Sequence, residues 1–306
     1  MSLRTIHRHQ HHLGWDNAHV PLLHVAPGER IALELMDASR GLMTPAATAA
    51  TLSELELGNA NPLTGPVHVD GAMPGDTLVV HIHDYALARW GWTALIPGFG
   101  LLAHDFGAPF MHISNYDASL IEFLPGVRLP TRPFAGTIGV APAAPGNHSA
   151  IPPLACGGNM DVRSLVAGAT LYLPVEVAGG LFSAGDGHAA QGDGEVCGTA
   201  VETTLGIEVS FDLIKGEHAP YPRFVAPATA WPASGPRLVT TGIGPDLFVA
   251  AQDAVRYLID CLCREQGLAP ELAYCLASVA ANLRIAEVVN MPQWTVACEI
   301  PLEIFG

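Results

Sequence analysis

Lysine is almost absent from this sequence. Among its 306 residues only Lys215 carries an ε-amino group, and lysine and arginine together number 14 against 29 acids. The formal net charge of -15 leaves little to displace counterions from phosphate backbones, so neither nucleic acid nor an anionic membrane is expected as a partner. Charge of either sign is scarce, at 14% of residues. Either subunit contacts cover surface that would otherwise need charge, which predicts a homo-oligomer (a dimer or higher), or a large monomer buries compactly. No run of about 18 apolar residues occurs, so no membrane span is expected. The His-rich N-terminus has no apolar core of a signal peptide. None of the six cysteines stands in a Cys-x-x-Cys spacing, which argues against a zinc ribbon or a disulfide scaffold. Reduced thiols and a cytoplasmic location are the expectation.

What is present is apolar sequence broken by turns. Hydrophobic residues make up 49%, and 32 glycines and 25 prolines are spread along the chain, as in a turn-rich β protein. Strand periodicity runs through Ile31, Leu33 and Leu35, and again through Leu78, Val80 and Ile82, with His81 and His83 on the other face. The longest alternation, Val201 to Leu213, presents Glu202, Thr204, Glu208, Ser210 and Asp212 on its polar face. Helical spacing follows at Leu247, Ala250, Ala251, Ala254, Val255, Leu258, Ile259 and Leu262, with Asp246 to cap the start and Gly267 to end it. A shorter helix is expected after Pro270 through about Ala277, and a last strand in Thr295 to Ile300. The predicted fold is mainly β, of barrel or sandwich type, with a C-terminal helical pair, and α+β overall. One unit of 1–306 is expected, with room for two interlocked subdomains of about 1–215 (β-rich) and 216–306 (α/β).

Four stretches combine glycine with acids, amides or histidine: Asn61 to Pro66, Val69 to Asp76, Gly157 to Asp161, and Gly185 to Glu195. Glycine lets the backbone approach a ligand, and a carboxylate or imidazole in such a stretch can face a cleft. These motifs resemble those of the acetamidase/formamidase family. The likeness also takes in Gly14-Trp15-Asp16-Asn17, Pro27-Gly28-Glu29 with Glu34 and Asp37, Gly98 to Leu102, Gly139 to Pro142, Leu173-Pro174-Val175, and the continuation of the last stretch to Glu202. It spans nearly the whole chain. His81, His83 and Gly180 depart from the family's usual residues. The resemblance implies a β-rich homo-oligomer that hydrolyses a short aliphatic amide to carboxylate and ammonia.

The residues narrow the mechanism. A Glu-Lys-Cys or Ser-Ser-Lys amidase would have to use Lys215, and no Gly-x-Ser-x-Gly elbow is present. Cys156 beside His188 is a candidate nucleophile, with a small buried apolar residue as the blander alternative. Water activated by a metal or a carboxylate remains. Asp161 and His188 are the first candidates for ligands and catalysis, with His12 (or His11) as a third ligand. Glu202 is either a ligand or the group that orients His188, and Glu195 is the candidate general base. Zinc is the expected divalent metal, with calcium as an alternative structural ion. Asn159 and Trp15 are the candidates for contact with the amide. Asp186 and Asp193 read as turn residues. Two other functions stay open: hydrolysis of another linear C–N bond, such as a guanidine or carbamate, or a non-catalytic protein that binds a small amide or a metal.

Overall fold

The computed structural model describes residues 3–230 and 235–305. Most of the described chain is strand, arranged in two large sheets packed face to face. One has nine strands, in the order Arg4–Ile6, Arg30–Leu35, Leu205–Ile214, Thr77–Leu87, Thr170–Pro174, Arg223–Ala226, Arg237–Gly244, Trp294–Pro301 and Asn282–Glu287. The other runs Pro153–Leu154, Gly157–Asn159, Phe134–Gly139, Phe182–His188, Leu63–Val69 and His11–His12, with Leu23–Val25 also paired to Leu63–Val69. The alternation seen in the sequence faces each sheet inward: Leu33, Val80, Ile82, Val209 and Phe211 meet Val67, Phe134, Ile138 and Phe182 in one buried core. The rings of Phe182 and Phe211 cross between the sheets in edge-to-face contact, 5.1 Å apart.

The C-terminal region adds its strands to the nine-stranded sheet and lays two helices on it. The first helix, α1, is Leu247–Gln266, and its apolar stripe of Ala250, Ala254, Leu258, Cys261 and Leu262 is buried in a second core. Asp246 caps it by accepting from the backbone N–H groups of Phe248 and Val249, both at 2.9 Å. Such a cap contributes about 1 kcal/mol. Gly267 ends the helix in the left-handed region at φ 66°. The second helix, α2, is Pro270–Ala280, with proline at its start, where its missing N–H costs nothing.

Two local expectations are corrected. The strand starts at Leu205, so Glu202 lies ahead of it and is not on its solvated face. Its backbone bridges Trp92 on one side and His188 on the other, which buries the side chain. The run from Gly185 to His188, in which Asp186 reads as a turn residue, is the end of the Phe182–His188 strand. Phe134–Gly139 pairs along it to His188, while on the other side Leu63 pairs with Gly185 and Met36 and Thr203 bond the Gly187 backbone, and these bonds override the weak strand propensity of Gly-Asp-Gly.

Candidate active site

The strand setting of Asp186 and His188 determines the site. Two residues apart, they project to the same inward face. The His188 ring stands edge-on to Phe134, with centroids 5.0 Å apart. Four buried carboxylates surround it. Asp161 Oδ1 lies 3.6 Å from Nδ1. Asp186 Oδ1, Glu202 Oε1 and Glu195 Oε1 lie 3.4, 3.2 and 4.0 Å from Nε2. The next strand is held close because residue 136 is glycine. A Cβ there would stand 2.5 Å from Asp161 Oδ1 and 2.6 Å from both Asp186 Oδ2 and His188 Cε1. Any side chain at 136 would therefore fill the space between the three groups.

Backbone strain is concentrated here. Asn61, Asp161, Asp186 and Glu195 all have positive φ, at 53°, 49°, 57° and 46°. A left-handed conformation is uncommon for a residue other than glycine. Its gathering around one cluster is the pattern of a site that surrounding structure holds in place against strain. The restraints are visible. Asn290 Nδ2 donates to Asp161 Oδ2 at 2.6 Å, and Gln191 Nε2 donates to the Asp161 carbonyl at 2.9 Å. Asn61 Nδ2 donates to Asp186 Oδ2 at 3.3 Å. Thr137 Oγ1 donates to Asn159 Oδ1 at 2.7 Å and stands 3.4 Å from Asp186 Oδ2. Glu202 Oε1 accepts from the Ala200 N–H at 2.9 Å.

Charge is poorly balanced within the cluster. Burial pushes the Asp161 carboxyl up to about 6, against the pull of His188, and the neighbouring Asp186 adds to the rise. Burial likewise pushes Glu202 up to about 7. Glu195 is raised well above the ordinary carboxylate value, first by burial and then by Asp161. Burial alone would lower His188, but Glu202 and Asp186 override it and hold the imidazolium well above its usual value. Even so, Asp161 Oδ1, Asp186 Oδ1, Glu202 Oε2 and both ring nitrogens of His188 are buried with no hydrogen-bond partner. Buried, unsatisfied ligand atoms of this kind are costly unless a cation supplies the missing contacts. Asp161, Asp186 and His188 form one group that could hold a metal ion, and His188, Glu195 and Glu202 form another.

Two cavities meet at the cluster. A small one of about 40 Å³ is lined by Asn61, Asn159, Asp186, Glu195, Glu202 and Asn290, with Trp92 and Phe99 among its apolar walls. A larger one of about 360 Å³, with Phe123, Leu129, Arg132 and Val201 in its walls, shares Glu195 and Thr199 with the first.

The fold therefore brings together Asp161, His188, Glu195 and Glu202, with Asn159 in the cavity wall. It does not bring His12 or Trp15. The His12 ring bonds the Gly14 carbonyl at 2.8 Å and Ser183 Oγ at 3.0 Å, because His11–His12 pairs antiparallel with the start of Leu63–Val69, which sets its ring against Ser183 and away from the cluster. Trp15 packs into a small separate core with Leu63 and Ala150. His81 and His83 also face outward, against Asp212 and Ser210 at 3.0 and 2.8 Å. Asp186, read from the sequence as a turn residue, is a member of the cluster, whereas Asp193 pairs with Arg163 and Arg284 outside it. Sequence reasoning also missed Asn61 and Asn290. The alternation Asp186-x-His188 was the one signal for Asp186, and Asn61 opens one of the four glycine-bearing stretches, but nothing pointed to Asn290. Burial pushes the Cys156 thiol up to about 12, the opposite of what a nucleophile needs. Lys215 is largely exposed and bonded to Asp76 and the Gly71 carbonyl.

With this geometry in view, the likeness to known proteins is decisive. The model of the Acetamidase/Formamidase family matches residues 3–147 and 144–306. The chain belongs to this family. Membership makes it an amidase, a hydrolase of carbon–nitrogen bonds. A formamidase of Methylophilus methylotrophus is 26% identical, over 92% of this chain and 86% of its own. An acetamidase of Mycolicibacterium smegmatis is also 26% identical, over 63% of each chain. The crystal structure of an acetamidase from Bacillus halodurans superposes with a TM-score of 0.89 at 28% identity, covering 98% of both chains. A gamma lactamase from Delftia acidovorans superposes with a TM-score of 0.70 at 26% identity, over 97% of this chain and 89% of its own.

Proposed function

We propose that this amidase hydrolyses a short aliphatic amide, formamide- or acetamide-like, to carboxylate and ammonia, and that the His188 cluster holds one divalent cation for the purpose. The observation that carries this reading is the set of unsatisfied ligand atoms on Asp161, Asp186, Glu202 and His188, gathered around one imidazole beside a cavity of about 40 Å³. Four carboxylates and one imidazole in a buried space fit a cation better than they fit one another. Asp161, Asp186 and His188 would hold it, with Glu202 the fourth candidate, and the mixed nitrogen and oxygen donors favour zinc. Such a cation supplies a lowered pKa for water and a polarised amide carbonyl.

The remaining steps belong to the chain. Glu195, 4.0 Å from His188 Nε2 and in the wall of both cavities, takes the proton from water at its carboxylate and returns it to the departing amine. Asn61, Asn159 and Asn290 line the space where the amide would lie, and the small volume favours a short acyl group. A second reading, hydrolysis of a bulkier or cyclic amide, has in its favour the adjoining space of about 360 Å³. For assembly we propose a homo-oligomer: Leu101, Leu102, Phe106, Phe110 and Val196 are each more than half exposed, a set of apolar side chains that a second copy would cover.

Ammonia release from formamide, acetamide, propionamide and a small lactam, with and without chelator, tests these readings. Release from the short amides that is lost on chelation is expected. Release from the lactam alone would favour the bulkier substrate, and no release from any of them, even with metal restored, would end the proposal.

A further inference from the structure

A second group of metal-ligating side chains lies on the opposite side of the seven-stranded sheet. His24 and His68 stand directly opposite each other where Leu23–Val25 pairs in parallel with Leu63–Val69. Val67 and Val69 point into the core, so His68 points out, and Asp70, two residues on, takes the same face. The Asp70 N–H donates to the Val25 carbonyl at 2.8 Å, which ties the aspartate to the His24 strand. The two imidazole rings are 4.5 Å apart.

The distances are those of ligands sharing an ion. His68 Nδ1 lies 3.4 Å from Asp70 Oδ1, and His24 Nδ1 lies 3.9 Å from the same oxygen. Two ligands bound at about 2.0–2.2 Å to one tetrahedral ion stand about 3.4 Å apart. A direct N–H···O bond would be shorter, near about 2.9 Å. His68 Nδ1 is in fact buried and makes no hydrogen bond, although the carboxylate is beside it. The two atoms lie side by side and are not aimed at each other.

The ring is also held in place. A Cβ on Gly179 would sit 2.0 Å from His68 Cδ2 and 2.5 Å from Nε2, so the imidazole rests on bare backbone that only glycine leaves open. That backbone is pinned by the Val69 N–H to Gly179 carbonyl bond at 2.9 Å. Nε2 is thereby turned toward Gly179, and Nδ1 toward Asp70. His24 is 62% exposed and free to complete the set.

We infer that His24, His68 and Asp70 form a second, solvent-facing site for a borderline divalent cation, which clips the Leu23–Val25 strand to the sheet. Two imidazoles and one carboxylate select zinc, nickel or copper over calcium or magnesium, which prefer all-oxygen sites. Water completes the coordination, since the group opens to solvent. The site is independent of the amidase reading.

The test uses the full chain, stripped with chelator and equilibrated by dialysis against Zn²⁺, with metal counted by elemental analysis. His24→Ala and Asp70→Asn are each expected to hold one equivalent per chain fewer than the wild type, and to lose part of its Zn²⁺-dependent rise in melting temperature. His9→Ala, in the exposed N-terminal run, is expected to keep the full count. Equal counts in the wild type and both variants overturn the inference. So does an equal loss in His9→Ala, which would mean adventitious binding by the histidine-rich terminus. Amide hydrolysis is expected to stay at the wild-type level in both variants. A fall in activity parallel to the metal count would place the lost equivalent at the buried cluster and overturn the assignment.

Discussion

The two histidine–carboxylate clusters use the same side chains under opposite conditions. Around His188 everything is buried, four residues adopt positive φ, and the acids outnumber the single imidazole. Around Asp70 the side chains are partly open to water, none of His24, His68 and Asp70 has positive φ, and two imidazoles face one acid. Burial makes the first cluster expensive, since each unpaired charge there forgoes its hydration. A chain that keeps such a cluster and strains its backbone to aim it is equipped for chemistry. The second costs little and suits a clip.

The comparison breaks most sharply at His188 itself. His188→Ala removes the one basic group among four buried carboxylates, so amide hydrolysis should vanish and the metal-free protein should lose about 3–5 kcal/mol of stability. Activity assays and denaturant unfolding check the two effects together. Glu195→Gln keeps the shape and removes the proton acceptor. Its kcat should fall by about 10²–10⁴-fold while bound metal is retained, a split that steady-state kinetics and elemental analysis would show. Gly136→Ala puts a methyl group among Asp161, Asp186 and His188. It should abolish metal retention and cost about 1–3 kcal/mol through overpacking. Asn290→Ala frees Asp161 of its 2.6 Å bond without touching the other acids, and metal affinity should weaken by about 10–100-fold in a competition titration. The smallest effect is expected at Lys215→Met. The pair is exposed only at its Lys215 end, but buried Asp76 keeps its bonds from the Met73 and Gly216 N–H groups, both at 2.9 Å, so the loss should be about 1 kcal/mol, with kcat unchanged.

How much of this was legible depended on how local the signal was. α1 could be read with both its ends, because the apolar stripe, the Asp246 cap and the Gly267 stop all lie within one segment. The inward faces of the long strands were legible for the same reason. The Gly185 to His188 stretch was not, because its glycines disfavour a strand until Phe134–Gly139, distant in sequence, pairs along it. That misreading hid Asp186, whose place in the cluster follows once the alternation is known. Asn290 lies 129 residues from Asp161, and no local pattern could link them. His12 drew attention because it stands in a histidine-rich run, yet the pairing of His11–His12 turns its ring to Ser183. Asp161, His188, Glu195 and Glu202, drawn from separate segments of the sequence, do meet.

The central claim is that the His188 cluster holds a divalent cation that amide hydrolysis requires. The direct measurement is metal content and ammonia release on the same sample of His24→Ala protein, in which the surface site is disabled. One equivalent per chain is predicted, with activity lost when chelation removes it and regained when Zn²⁺ is restored. Full activity from protein shown to be free of metal would contradict the account.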